Sequence, residues 1–436
     1  MSKTKAWLRD KLISADEAAK LVKSGDLVRL PLGPVPLTLM NALMRRQHDL
    51  RDVQVIQGIP QYHYPFALEP QWQSCIRLIT DFINAPIRQG YSSGLVQFQV
   101  TDAVIGYKVQ EDGRRDNWAS DVFMALVSEP DDEGFVSFGY SLWYARSVAR
   151  AAKLRIAEIA PDVVRTGGDN RFPISEFDYV AKQVDIPRPL SFIPRLSEEE
   201  ITVIEVIGAY VSTLIRDGDT VQLGTGTVSS SMGHHLMGKH DLGIDAEIIV
   251  PSAVELVRAG VATGNHKTTH QGKAVASFLV PGDYMDFVDG NPAFELYDVE
   301  YVNSVGRISA NERQVAVNQA LAIDLTGQVT AESVGGKLWS GPGGQLVWTM
   351  GALFSKGGRA IHVLPATAQG GTVSRIVPRL EPGTVVTVPR TFVDFVVTEY
   401  GVASLQGKTE RERADELIAI AHPDFRAELR REAGRL

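Results

Sequence analysis

The chain has 436 residues, of which 44% are hydrophobic and 22% charged, and its formal net charge is −8. This is an ordinary globular composition, and the length predicts two or three domains whose core needs no disulfide support. The negative charge excludes a general affinity for nucleic-acid backbones, and no apolar run of about 18 residues is present to cross a membrane.

The chain start bears on the expected location of the protein, and its single cysteine excludes two kinds of site. Met1–Ser14 lacks the apolar core of a secretory signal peptide, so we expect the cytoplasm as its location. Cys75 is the only cysteine, so the chain can form neither an internal disulfide nor a cysteine metal site. We interpret Cys75 as an inert core or boundary residue, because free cysteine is often simply buried.

Short β-rich runs alternate with helix-like stretches along the whole chain. Strands are predicted at Val53–Ile56, Val221–Leu223, Glu247–Val250 and Val393–Val397, and helices at Asp16–Lys23, Val203–Arg216 and Arg411–Ala421. This alternation is typical of α/β layers rather than of all-α or all-β folds. The predicted fold class is therefore α/β.

An internal similarity relates two parts of the chain. Ser24–Met40 reads SGDLVRLPLGPVPLTLM, and Asp217–Met232 reads DGDTVQLGTGTVSSSM. Their matches share the offset 218 − 25 = 193, and they fall at Gly25, Asp26, Val28, Leu30, Gly33 and Val35 of the first copy. Two similarly built α/β halves are the simplest interpretation, although any helix–turn–strand–loop unit can show such a match.

A domain boundary is predicted near residue 190. Val184–Pro194 contains three prolines, which disfavour regular structure. Ser197 then opens SEEE, a capping-box pattern ahead of a long helix with periodic apolar residues. The predicted domains are residues 1–190 and 191–436.

Glycines form tight clusters in the second half of the chain. The clusters are Gly224/Gly226, Gly341/Gly343/Gly344, Gly357/Gly358 and Gly370/Gly371. Glycine lets the backbone approach a ligand closely and can present N–H groups to an anion, although any one cluster would more often be a turn. Together they favour a nucleotide-like ligand, but NAD and ATP are poorly supported because GxGxxG and the phosphate-loop motif are absent.

The histidines do not form a recognisable metal motif. His266 and His270 stand four residues apart in HKTTH, without the glutamate of a zinc-protease helix. The flanking Gly264 and Gly272 argue against a helix, so we expect no metal site there.

Carboxylates are the strongest nucleophile candidates, because no GxSxG elbow is present. Glu247 heads the apolar run in GIDAEIIVPSAVEL, where a charged side chain is costly to bury without a purpose. Glu332 in TAESVGG and Glu399 in VTEYG are comparable by the same logic. From the residues alone, all three stay open.

Several ordered motifs carry a resemblance to a known enzyme family, among them Thr220–Gly226, TVQLGTG, and Leu242–Glu247, LGIDAE. These two look like the glycine loop and the catalytic-glutamate segment of the acetyl-CoA hydrolase/4-hydroxybutyrate CoA-transferase family. Asp324–Gln345 ends in GPGGQ, similar to the family's GxGGQ element, and Val397–Phe425 closes the chain as family members do. The resemblance covers nearly the whole chain and is densest after about residue 200.

The resemblance implies a fold and a site. The fold would be two similarly built α/β domains with open mixed sheets, and Glu247 would be the covalent nucleophile. Contacts to CoA or to the reaction's oxyanions would come from Gln222, Gly224, Thr225, Gly226, Thr227, Val228, Gly343, Gly344, Gln345, Gln369 and Gly370.

The implied activity moves CoA from acetyl-CoA or succinyl-CoA to a short acid such as 4-hydroxybutyrate, butyrate or itaconate. It would proceed through a glutamyl-CoA thioester with ping-pong kinetics, with no metal and no cofactor besides the CoA thioester substrate. A homodimer or higher homo-oligomer is expected, without nucleic-acid or membrane partners. Two alternatives are an acyl-CoA hydrolase on the same fold and a non-catalytic CoA-binding subunit. Departures from the family pattern, such as Pro251–Ser252 in place of Asp-Gly, leave the acceptor open.

Overall fold

The computed structural model describes residues 8–101, 120–186 and 196–434. The chain divides into two compact units. They are Met1–Ser191 with Ala276–Tyr301, and Phe192–Val275 with Val302–Leu436. Most of the predicted proline-rich junction, residues 187–194, lies outside the described residues.

The segment Ala276–Tyr301 belongs to the first unit, although the predicted boundary near residue 190 would assign it to the second. Long-range hydrogen bonds explain this. The Val299 N–H donates to the carbonyl of Trp143 at 2.8 Å, and the Ser147 hydroxyl donates to Asp298 Oδ2 at 2.6 Å. Such contacts join positions about 150 residues apart, so no local sequence pattern marks them.

The first unit is built on a seven-stranded sheet. Its strands are β1 (Leu27–Arg29), β2 (Val53–Ile56), β3 (Ile76–Thr80), β4 (Val96–Phe98), β5 (Val122–Ser128), β6 (Leu154–Ala160) and β7 (Tyr179–Lys182). Their spatial order is β7-β6-β5-β1-β2-β3-β4, with each neighbouring pair parallel. Every residue of β5 is buried, as its apolar sequence VFMALVS requires in a sheet covered on both faces.

Short helices and strands complete the first unit. The longer helices are α1 (Ala15–Lys20), α2 (Leu37–Met44) and α3 (Ala145–Ala151). Shorter helical segments are Pro65–Leu68, Arg88–Ser92 and Met285–Val288, and two minor strand pairs join Phe135–Val136 to Phe172–Pro173 and Gly167–Gly168 to Phe294–Leu296.

A buried carboxylate holds the start of α2. Glu158 on β6 is fully buried and accepts hydrogen bonds from the Thr38 hydroxyl and the Leu39 N–H, both at 2.9 Å. Burial raises the pKa of Glu158 to about 7, although these two donors oppose the shift. The same Thr38 hydroxyl accepts from the N–H groups of Val184 and Asp185, so one group ties α2 to the end of the first unit.

We expect ionisation of Glu158 to lower the free energy of unfolding as pH rises from about 4.5 to about 7. A carboxyl whose pKa is higher in the folded chain binds more protons there than in the unfolded chain, so ionisation disfavours folding in that window. Glu158→Gln should remove a pH-dependent contribution on the order of 1–3 kcal/mol. Urea unfolding of both proteins between pH 4.5 and 8 measures it, and parallel stability curves would contradict the assignment.

The second unit is built on a six-stranded sheet. Its strands are β8 (Thr220–Leu223), β9 (Gly243–Ile244), β10 (Gln314–Gln319), β11 (Arg359–Val363), β12 (Phe395–Thr398) and β13 (Gly401–Ser404). Their spatial order is β9-β8-β10-β11-β12-β13, parallel except for the antiparallel pair β12/β13. The predicted α/β class with open sheets is therefore confirmed. Of the two main sheets, the six-stranded one is mixed and the seven-stranded one is all parallel.

The helices of the second unit are α4 (Glu198–Leu214), α5 (Thr227–Ser231), α6 (Pro251–Arg258), α7 (Val305–Ala310), α8 (Gln345–Phe354), α9 (Glu410–Ala419) and α10 (Pro423–Ala433). The predicted capping box of α4 is confirmed: the Ser197 N–H donates to Glu200 Oε2 at 2.8 Å, and Ser197 Oγ accepts from the Glu200 N–H. Within the described residues, no helix is both long and apolar enough to span a bilayer.

The two similar sequence segments supply corresponding strands. Each contains the first strand of its unit's sheet, β1 or β8, and each strand follows a left-handed glycine, Gly25 at φ 86° and Gly218 at φ 72°. In both sheets this strand lies where the strand order reverses, between β1 and β5 and between β8 and β10. Open α/β sheets bind ligands at the carboxyl ends of the strands at such a reversal.

Candidate active site

The predicted site residues of the second unit follow the carboxyl-terminal ends of its strands. The glycine loop follows β8, Glu247 follows β9, and the segment with Gln369 follows β11. These strands are parallel, so their carboxyl ends lie at the same end of the sheet.

Glu247 is half-buried, and each of its carboxylate oxygens has a separate donor. Asn303 Nδ2 donates to Oε1 at 3.0 Å, and the Gly344 backbone N–H donates to Oε2 at 3.1 Å. Gly344 is the N-cap of α8, so the positive end of that helix dipole also faces the carboxylate. Glu247 is therefore held in one orientation by donors that favour negative charge on it.

Asn303 was not anticipated from the sequence. It is 2% exposed, and its Oδ1 accepts a hydrogen bond from the indole N–H of Trp348 at 2.9 Å. An indole N–H can only donate, so it assigns the oxygen of the Asn303 amide to Trp348 and leaves the NH₂ group for Glu247. Its position, 56 residues after Glu247, follows from tertiary folding rather than from a motif.

We expect Trp348→Phe to lower kcat about 10-fold, because the Asn303 amide then lacks the donor that fixes its orientation. A flipped amide would present its oxygen to the Glu247 carboxylate and repel it. Steady-state kinetics measures the effect, with Trp72→Phe, a buried indole of the first unit, as the control expected to stay within about twofold. A Trp348→Phe enzyme with unchanged kcat would contradict the role of the indole.

The glycines of the GPGGQ segment leave room for Glu247. A Cβ on Gly344 would lie 2.9 Å from Glu247 Cδ and Oε1 and 2.8 Å from Asn303 Nδ2. Gly343 has φ 51°, and a Cβ there would lie 3.9 Å from Glu247 Oε2. Gly343 and Gly344 are thus the predicted residues that the structure places directly against Glu247.

The glycine loop after β8 packs on the end of β10. A Cβ on Gly224 would lie 2.9 Å from Asn318 Oδ1, and one on Gly226 would lie 2.4 Å from Gln319 Oε1. The side chain of Gln222 exchanges two hydrogen bonds of 3.1 Å with Asn318, and the Val228 N–H donates to Gln319 Oε1 at 2.9 Å. The loop is therefore anchored at the reversal of strand order, with Thr225 exposed at its tip and Thr227 half-buried.

The remaining predicted contacts lie around this end of the sheet. Gln345 is 7% exposed, and its Nε2 has no hydrogen-bond partner among the described residues. Gln369 and Gly370 are exposed at the tip of a small hairpin and have φ of 51° and 66°. Consecutive left-handed residues can turn backbone N–H groups toward an anion.

The other two carboxylate candidates have structural partners. Glu332 is 8% exposed, burial raises its pKa, and its Oε1 accepts from the Thr387 hydroxyl at 3.0 Å. Glu399 Oε2 accepts from the Ala366 N–H at 2.8 Å.

Cys75 is buried, as predicted, and burial raises the pKa of its thiol. Among the described residues, no group of three or more His, Cys, Asp and Glu side chains could hold a metal ion.

Similar sequences extend over almost the whole chain. The 4-hydroxybutyrate coenzyme A transferase of Clostridium kluyveri is 38% identical over 428 residues, which cover 97% of each chain. The succinyl-CoA:cyclohexane-1-carboxylate CoA transferase of Geobacter metallireducens is 38% identical over 432 residues, 98% of this chain and 96% of that one.

Solved structures show the same fold. RipA from Yersinia pestis superposes with a TM-score of 0.90 at 31% identity, covering 99% of both chains. The 4-hydroxybutyrate CoA-transferase from Porphyromonas gingivalis gives a TM-score of 0.82 at 32% identity, covering 99% of this chain and 100% of that one. Residues 1–194 match the acetyl-CoA hydrolase/transferase N-terminal domain, and residues 282–433 match the C-terminal domain. This chain therefore belongs to the acetyl-CoA hydrolase/transferase family, and it is a CoA transferase.

Proposed function

We propose that this enzyme moves CoA from acetyl-CoA or succinyl-CoA to a short carboxylic acid through a thioester on Glu247. The observation that carries the proposal is the pair of donors, Asn303 Nδ2 and the Gly344 N–H, one on each oxygen of a half-buried carboxylate. Gly343 and Gly344 also keep side chains out of the space beside this carboxylate. Both the fixed orientation and the open space suit an attacking nucleophile.

In the first half-reaction, a Glu247 oxygen attacks the thioester carbonyl to give a tetrahedral intermediate, which expels the CoA thiolate and leaves an acyl–glutamyl anhydride. The thiolate then attacks Glu247 Cδ, and the first acid departs with the bridging oxygen. The glutamyl oxygen that remains carries the negative charge of this tetrahedral intermediate. Asn303 Nδ2 and the Gly344 N–H lie 3.0 and 3.1 Å from the two oxygens, so whichever oxygen remains has a donor.

The second half-reaction runs the same steps backwards with the acceptor acid. Its carboxylate attacks the glutamyl-CoA thioester, and the CoA thiolate then attacks the acceptor's carbonyl and frees Glu247. The thioester bond energy is conserved throughout, so we propose that neither a metal nor a further cofactor is needed. Water must stay out of the site, because the anhydride and the thioester both hydrolyse.

The acceptor class comes from the relatives. The Clostridium kluyveri and Geobacter metallireducens relatives are named for 4-hydroxybutyrate and cyclohexane-1-carboxylate, and another, from Anaerostipes caccae, is a butyryl-CoA:acetate CoA-transferase, 30% identical over 457 residues. We propose an acceptor among small monocarboxylic or dicarboxylic acids, with 4-hydroxybutyrate, butyrate and itaconate first in the panel. We also propose a cytoplasmic homo-oligomer, to be checked by cell fractionation and light scattering.

The test is a search for the covalent intermediate. The protein is incubated with acetyl-CoA or succinyl-CoA without an acceptor, digested, and analysed by mass spectrometry for CoA on the peptide that contains Glu247, with borohydride trapping as a second readout. We expect an adduct that persists until an acid is added and then disappears as a new acyl-CoA forms. Free CoA without an adduct would identify a hydrolase, and CoA binding without either product would identify a non-catalytic subunit.

A further inference from the structure

A second carboxylate, two residues before the proposed nucleophile, is fully buried in an ionic cluster. Asp245 is 0% exposed and accepts from both terminal nitrogens of Arg307, with Nη2–Oδ2 at 2.8 Å. Its Oδ2 also accepts from Asn311 Nδ2 at 2.8 Å and lies 3.2 Å from Lys267 Nζ. We name Asp245, Lys267, Arg307 and Asn311 the Asp245 cluster.

The cluster is charged and almost completely removed from water. The side chains of Asp245 and Lys267 are 0% exposed, and that of Arg307 is 7% exposed. Burial alone would raise the pKa of Asp245, but the attraction of Lys267 and then of Arg307 lowers it below its ordinary value. The carboxylate is therefore ionised, and one anion and two cations give the cluster a net charge of +1.

Each partner of Asp245 has further bonds that fix it. Lys267 Nζ donates to the carbonyls of Ile244 at 3.0 Å and Lys273 at 2.8 Å. Asn311 Oδ1 accepts from the backbone N–H and the hydroxyl of Thr269, each at 3.0 Å. A buried ionic cluster adds little net stability over apolar packing of the same shape, but its directional bonds tie the Asp245 segment to those of Lys267, Arg307 and Asn311.

Two of the three segments joined by the cluster also contribute to the candidate site. Asp245 and Glu247 are two residues apart on one segment, and their partners Arg307 and Asn303 are four residues apart on the other. Two parallel connections therefore join the same pair of segments. The connection at Glu247 changes chemically in every proposed turnover, because that carboxylate becomes an anhydride and then a thioester. The connection at Asp245 does not change.

We infer that the Asp245 cluster positions the nucleophile. The two hydrogen bonds between Asp245 and Arg307 keep Glu247 within reach of Asn303 and Gly344 while the Glu247 carboxylate is converted and regenerated. This inference rests on the function proposed above. Asp245 and Arg307 are positioning residues, since they act through Glu247 and touch neither substrate.

The test compares Arg307→Met and Arg307→Lys with a matched control. Arg307→Met leaves Asp245 paired with Lys267 and Asn311, so the remaining buried charges are balanced. We expect kcat to fall about 10- to 100-fold, as for a nucleophile displaced by about 1 Å, with KM for the acyl-CoA changed less than about threefold. Arg307→Lys keeps the charge without the two-pronged geometry, and we expect its kcat to stay at least about 10-fold below wild type.

The control is Arg359→Met, which breaks another buried ion pair of the second unit. Arg359 contacts Asp219 at the opposite end of the sheet, where β11 begins, and the side chains are 10% and 0% exposed. It should lower the melting temperature while kcat stays within about twofold of wild type. The inference is overturned if Arg359→Met loses as much kcat as Arg307→Met, if Arg307→Lys restores full activity, or if folded Arg307→Met is fully active.

A second readout does not depend on CoA chemistry. A water-soluble carbodiimide with an amine labels accessible carboxyl groups, and the label on Glu247 can be quantified by peptide mass, with Glu247→Gln as the blank. We expect several-fold faster labelling of Glu247 in Arg307→Met and Arg307→Lys than in wild type or Arg359→Met. Equal labelling in all four proteins overturns the inference. A wild-type enzyme that forms no CoA adduct refutes the proposed function instead, whatever the labelling shows.

Discussion

Glu247→Ala is expected to abolish the covalent CoA adduct and to lower the rate of CoA transfer by at least about 10⁴-fold, as removal of a covalent nucleophile does in other enzymes. Glu247→Asp should lose about 10²-fold or more, because the shorter side chain withdraws the carboxylate by roughly 1.5 Å from Asn303 and Gly344. Both effects are measured as kcat, together with the yield of adduct by mass spectrometry.

Glu332→Gln is the matched control for the nucleophile. Glu332 is a buried glutamate of the same unit, and glutamine can still accept the hydrogen bond from Thr387. We expect this variant to form the adduct at the wild-type rate. Normal transfer by Glu247→Ala, or loss of the adduct in a folded Glu332→Gln enzyme, would contradict the assignment of the nucleophile.

Gly344→Ala should lower kcat about 10²- to 10³-fold, the loss typical of a misplaced oxyanion donor. The added methyl group would lie 2.9 Å from Glu247 Cδ and 2.8 Å from Asn303 Nδ2, so both side chains must shift and their hydrogen bond is disturbed. Glu247 is the reacting group, so the loss should fall on kcat more than on KM for the acyl-CoA. Steady-state kinetics with the donor and acceptor varied separately measures both constants.

Gly336→Ala is the control for that substitution. A Cβ on Gly336 would meet no atom within 4 Å, and the residue lies in the short hairpin between Ser333–Val334 and Lys337–Leu338. Its kcat should remain within about twofold of wild type. Equal activity of Gly344→Ala and Gly336→Ala would show that the Gly344 backbone does not approach the nucleophile as closely as described.

The sequence predicted the features that depend on local patterns. Val53–Ile56 was predicted as a strand and forms β2 with the same bounds, and the capping box at Ser197 opens α4 as expected. Other bounds shifted by a few residues: the strand predicted at Glu247–Val250 is Ile248–Ile249, because the backbone bends at Glu247. The residue at this bend is the one whose carboxylate accepts hydrogen bonds from Asn303 and Gly344.

Features that depend on long-range contacts were not predictable from one sequence. Asn303 and Arg307 lie about 60 residues after the carboxylates they bind, and neither belongs to a motif. The assignment of Ala276–Tyr301 to the first unit depends on hydrogen bonds to residues near Trp143. Glu247 itself was indicated by a resemblance, since the residues alone left Glu332 and Glu399 as equal candidates.

Trp348 makes the proposed chemistry observable by light. Its indole is completely buried and is one hydrogen bond from Asn303, which is one hydrogen bond from Glu247. Conversion of Glu247 from an anion to a neutral thioester changes the electric field along that indole, so the fluorescence of Trp348 should shift when the enzyme is mixed with acyl-CoA. Equilibrium spectra of wild type and Trp348→Phe with and without acyl-CoA assign the shift to Trp348 rather than to the other five tryptophans of the chain, and stopped-flow mixing of the wild type follows its time course. Each half-reaction of this unlabelled enzyme can then be timed separately, before any product is collected.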